Sequence, residues 1–144
     1  MPPARILVIE DNASDIEMLR FALDQQQENY ELEILKDGAE ALQFVHEHRT
    51  GVREPNPCVI LIDLHLRLYD GVTILRGIRE APALEHIHVI VLSSTVSPVQ
   101  RVEIENLGAL YRSKPSDLNV LVELVAEIIA IFKSLSPEPA VLVY

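Results

Sequence analysis

The chain has no tryptophan, a single cysteine and only three lysines in its 144 residues. A lone cysteine excludes an internal disulfide, and the place of Cys58 in an apolar run makes it a small core residue rather than a reactive thiol. There is no basic run, and a formal net charge of −10 argues against direct binding to nucleic acid or an anionic membrane. No apolar stretch is long enough to span a bilayer, and Met1-Pro2-Pro3-Ala4-Arg5 is no secretory leader, so the expected compartment is the cytoplasm. Internal repeats and low-complexity segments are missing as well. What remains is 49% apolar and 24% charged, at a length that suits one globular domain.

The apolar residues come in short bursts. Ile6-Leu7-Val8-Ile9 ends on Glu10-Asp11, Cys58-Val59-Ile60-Leu61-Ile62 ends on Asp63, and Ile87 to Leu92 ends on Ser93-Ser94-Thr95. Continuous runs of this length predict parallel strands buried on both faces. Tyr30 to Leu35 alternates and reads as an outer strand, and Ala109 to Arg112 as a brief one before Lys114-Pro115. Helical spacing fills the gaps. It runs from Ser14, with Glu17 as capping-box partner, to about Gln26, then over Ala39 to His48, Val72 to Arg79, Val99 to Leu107 and Asp117 to Lys133. Arg49 to Pro57 reads as a loop. The predicted layout is one domain over 1–134 and a tail over 135–144. Its class is α/β, a doubly wound (βα)5 arrangement with a five-stranded parallel sheet between two helical layers. In such sheets the ligand site lies beyond the carboxyl ends of the strands.

Glu10, Asp11, Asp63 and Ser93 stand at those ends, and Lys114 follows the last strand. On adjacent strands they bring three carboxylates, a hydroxyl and an ammonium to one patch. Carboxylates that close repel one another unless a cation joins them. Magnesium suits the task, because it takes one or two carboxylates, keeps waters and leaves positions for phosphate oxygens. Asp63 can then act as a nucleophile, with Lys114 and the Ser93 hydroxyl neutralising charge on a transferred phosphoryl group.

These residues, with Asp70-Gly71, Tyr111 and Lys114-Pro115, resemble the receiver domain of bacterial two-component response regulators of the chemotaxis-Y type, from about Arg5 to Lys133. The resemblance implies a flavodoxin-like fold with strand order 2-1-3-4-5. It implies Asp63 as the phosphorylated residue, and Glu10, Asp11, Asp63 and the His65 backbone carbonyl as magnesium ligands, with manganese able to substitute. Lys114 pairs with the phosphoryl group, Ser93 is the hydroxyl that moves toward it, and Tyr111 is the switch aromatic. The implied donor is the phosphohistidine of a sensor histidine kinase in a phosphorelay. The Arg49–Pro57 loop and the lack of an output domain resemble a narrower set, single-domain regulators paired with bacteriophytochromes. Such a protein signals through altered contacts and is no enzyme beyond self-phosphotransfer and autodephosphorylation.

Departures from the family pattern are Arg67, where proline is usual, and Ser94, where a smaller residue is usual and access to Asp63 is at stake. Blander roles stay open: a simple cap for Ser93, rim contact for Tyr111, solvent for the His65 ring. Two other functions stay open as well. One is a degenerate receiver that only docks partners or dimerises. The other is an aspartyl-phosphate phosphatase of the haloacid-dehalogenase type, which places a second aspartate where this chain has His65. Val120, Leu124 and Ile131 form a second apolar stripe on the last helix, and the expectation is an exposed homodimer face, with cover by the tail as its rival.

Overall fold

The computed structural model describes residues 4–50 and 59–135. Strands β1 (Ala4–Ile9), β2 (Tyr30–Leu35), β3 (Val59–Asp63), β4 (His88–Ser93) and β5 (Leu110–Ser113) alternate with helices. These are α1 (Ala13–Asp24), α2 (Gly38–Arg49), α3 (Gly71–Glu80), α4 (Pro98–Asn106) and α5 (Leu118–Leu135). All strand pairs are parallel and the order is β2-β1-β3-β4-β5, the flavodoxin-like arrangement. β3, the middle strand, is buried along its whole length, as a run of Val59-Ile60-Leu61-Ile62 without a polar residue requires.

Side chains alternate across a strand, so each strand feeds two cores. Leu7, Ile9, Ile60, Ile62, Val89 and Val91 meet Phe44, Val45, Ile74, Leu75, Ile78 and Ile104 from α2, α3 and α4 on one face. Ile6, Val8, Val59, Leu61 and Ile90 meet Leu19, Leu23, Leu121, Val125 and Ile128 from α1 and α5 on the other. The Gln26 amide adds a polar tie between these two helices, donating to the Val122 carbonyl at 3.0 Å.

Some local expectations are corrected. The first helix is capped by Asn12, whose side chain accepts from the Asp15 amide, and not by Ser14. Both residue types cap well; Asn12 comes first after the strand. A capping box does form at α4, between Ser97 and Gln100. Helix and strand ends otherwise shift by one or two residues, and α5 runs one residue past the expected boundary at 134. Cys58, most of the Arg49–Pro57 loop and the tail beyond 135 lie outside the described residues.

The expected exposed stripe on α5 is corrected too. Leu124 is buried at 8% exposure, Ile131 packs against the core, and of the trio only Val120, at 49%, is exposed. The physical reason is that α5 rests on both the sheet and α1, which widens its buried arc beyond a single stripe. Leu124→Ala should therefore lower the unfolding free energy by about 2–4 kcal/mol in urea titration, whereas Val120→Ala should change it by about 0.5 kcal/mol or less.

Candidate functional site

The register β1–β3–β4 aligns Ile9 with Ile62 and Asp63 with Leu92, so Glu10, Asp63 and Ser93 emerge side by side at the carboxyl edge. All three are buried. One carboxylate oxygen each from Glu10, Asp11 and Asp63 lie within 4.8 Å of one another. The backbone holds two of these groups: Glu10 Oε2 accepts from the Asp11 amide at 3.1 Å and Asp63 Oδ1 from the His65 amide at 3.1 Å. The Lys114 ammonium enters from the end of β5 and lies 2.6 Å from Glu10 Oε1, 2.7 Å from Asp15 Oδ2 and 3.5 Å from Asp63 Oδ2. Burial, reinforced by the facing Asp63 carboxylate, pushes the Glu10 carboxyl up to about 7 even with Lys114 pulling it down. Burial acts to lower the Lys114 ammonium, but hydrogen bonds to Asp15 and Glu10 outweigh it and raise its pKa.

The segment after β3 folds tightly back. Asp70 caps α3 by accepting from the Val72 amide, and a Cβ on Gly71 would stand 2.7 Å from the Asp63 carbonyl oxygen and 2.8 Å from Leu64 Cα. These are backbone atoms with nowhere to move, which explains Asp70-Gly71 at this spacing. Tyr69 lies across the start of α2, where Gly38 leaves room for its ring. Arg67 forms an ion pair with the pocket: its Nε is 3.5 Å from Asp11 Oδ2. Its backbone N–H also donates to that oxygen at 3.0 Å, a bond that the family's usual proline has no hydrogen to make.

Ser93, Tyr111 and Lys114 are joined through one atom. The Ser93 carbonyl accepts from the Lys114 amide at 2.9 Å and from the Tyr111 hydroxyl at 3.0 Å. The Ser93 hydroxyl itself donates to the Thr95 carbonyl at 2.6 Å and accepts from the Thr95 amide at 3.3 Å. The His65 ring is exposed, yet Nε2 lies 3.1 Å from both the carbonyl oxygen and Oγ1 of Thr95. Ser94 is exposed in the segment that follows β4. Sequence reasoning missed Asp15 and Thr95. The signal for Asp15 was an acid one helical turn after Asp11, which reads equally well as ordinary first-turn charge.

Residues 6–126 match the family described as the response regulator receiver domain. The chain belongs to that family. Among relatives, the receiver is 35% identical over 94 residues to the response regulator Rcp1 of Synechocystis, a match covering 65% of this chain and 64% of Rcp1. The match thus spans less than two thirds of that relative's length. Among solved structures, the phosphorylated cyanobacterial phytochrome response regulator RcpA superposes with a TM-score of 0.81 at 28% identity, covering 95% of this chain and 97% of RcpA. The manganese-bound form of Rcp1 superposes with a TM-score of 0.78 at 30% identity, covering 90% and 94% of the two chains. No helix among the described residues is long and apolar enough to cross a membrane.

The donor set of this receiver fits a hard divalent cation, because it offers carboxylate oxygens only, and burial, with Asp63 beside it, disfavours the negative charge on Glu10. That charge has a pH signature. The folded-state pKa of Glu10, about 7, lies above its ordinary 4.5. Folding therefore takes up a proton between those values. The stabilisation is complete below 4.5 and is lost as pH rises through 7. In chelator, the melting temperature of the wild type should fall from about pH 5 to about pH 8 more steeply than that of Glu10→Gln. Calorimetric scans that run parallel for the two proteins would place the titration on another group.

Proposed function

We propose that this receiver is a phospho-accepting switch in a two-component relay, with Asp63 as the acceptor. The observation that carries the reading is the placement of Asp63 between the Lys114 ammonium at 3.5 Å and the carboxylates of Glu10 and Asp11. An Asp63 carboxylate oxygen attacks the phosphorus of a phosphohistidine. The phosphorus–nitrogen bond breaks, the ring nitrogen of the donor takes a proton, and an acyl phosphate remains on the receiver. Lys114 meets the negative charge of the transferred group, and the Ser93 hydroxyl is released from Thr95 to donate to it. Glu10, Asp11, Asp63 and the His65 carbonyl would hold magnesium, which would supply charge neutralisation for the phosphoryl oxygens. Manganese in Rcp1 supports an oxygen-donor site of this kind.

The proposed donor is a sensor histidine kinase, and likeness to the phytochrome response regulator RcpA supports a bacteriophytochrome in that position. The proposed compartment is the cytoplasm, where such kinases expose their phosphohistidine. A second copy of the chain is the proposed partner of the α5 surface around Val120, the exposed member of the expected trio.

Treatment with acetyl phosphate and magnesium should add the mass of one phosphoryl group to the wild type and none to Asp63→Asn. Label that persists in Asp63→Asn would remove Asp63 from the mechanism, and a wild type that takes no label would leave a docking module. Light scattering should show a dimer for the wild type at high concentration and a monomer for Val120→Glu. A wild type that stays monomeric would end the homodimer reading.

A further inference from the structure

Asp15 occupies the third position of α1, where an acid ordinarily turns back to accept the backbone N–H of the capping residue. Here the Asn12 amide points instead to Glu10 Oε2, at 3.4 Å. Asp15 is thereby free to face the pocket, and its Oδ2 lies 2.7 Å from the Lys114 ammonium. The ammonium thus has close partners in Glu10 and Asp15 and stands farther, at 3.5 Å, from Asp63. Asp15 lies outside the acidic triad whose oxygens converge for a cation. Its carboxylate acts on that triad through Lys114.

We propose that Asp15 is a positioning residue that parks the Lys114 ammonium on the α1 side of the pocket, in competition with the phosphoryl group on Asp63. The inference rests on the acceptor reading above. Before phosphorylation, Asp15 and Glu10 hold the ammonium at hydrogen-bond distance, leaving Asp63 Oδ2 only a long contact. An aspartyl phosphate adds roughly two negative charges, and the ammonium is drawn off Asp15 to meet them. The strength of the Asp15–Lys114 pair is then subtracted from the stability of the phosphorylated state. Asp15 and Lys114 both retain some solvent exposure, so the competition is modest.

Beryllium trifluoride with magnesium is the probe, as a non-covalent stand-in for the phosphoryl group. Asp15→Asn, which keeps the shape and removes the charge, should bind it roughly three- to tenfold more tightly than the wild type and lose acetyl-phosphate label correspondingly more slowly. Asp15→Glu, which restores a carboxylate within reach, should return both quantities toward wild type. A purely structural role for Asp15 would shift the melting temperature and leave affinity unimproved. Equal or weaker binding by Asp15→Asn, in a wild type that does bind, overturns the parking role alone. A wild type that neither binds beryllium trifluoride nor takes label overturns the acceptor reading, and the parking role falls with it.

Discussion

An ammonium placed among mutually repelling carboxylates is the constraint on which the carboxyl edge of this sheet depends. Lys114 reaches Glu10, Asp15 and Asp63, which come from β1, α1 and β3. Glu10 follows β1 and Asp63 ends β3, two directly paired strands of one parallel sheet, so their spacing follows from backbone hydrogen bonding and not from any attraction between them. The two cores on either side of the sheet supply the free energy that keeps like charges together. Burial then raises the cost of leaving those charges uncompensated.

Arg67 is a second compensating device, of a different kind. Its guanidinium is 83% exposed while its partner Asp11 is mostly shielded. An exposed pair contributes little to stability, but the backbone N–H of the same residue adds a bond that does not depend on the mobile side chain. Asp11 is therefore oriented in the absence of any ion. The departure from proline gives up backbone rigidity in exchange for that donor.

Much of this was legible in the sequence. Glu10, Asp11, Asp63 and Ser93 could be placed because each ends an apolar run, and a polar residue at that point leaves the sheet at its carboxyl edge. Gly71 follows Asp70 for a steric reason that composition alone does not reveal, yet the pair is visible as a turn. Asp15 was hidden because a first-turn acid is common on any helix, and only the diversion of the Asn12 amide to Glu10 sets it apart. Leu124 was misplaced because helical periodicity reports how many faces are apolar and is silent on how many neighbours cover them. Helix α5 has two, the sheet and α1.

The Ser93 carbonyl, with one oxygen serving both the Lys114 amide and the Tyr111 hydroxyl, works as a fulcrum. A carbonyl oxygen has two lone pairs, and here each has a taker. A shift of the chain at Lys114 tilts that oxygen, and the tyrosine on the neighbouring strand must follow or give up its bond. One rigid peptide plane thus fixes the backbone at Lys114 and the Tyr111 hydroxyl relative to each other.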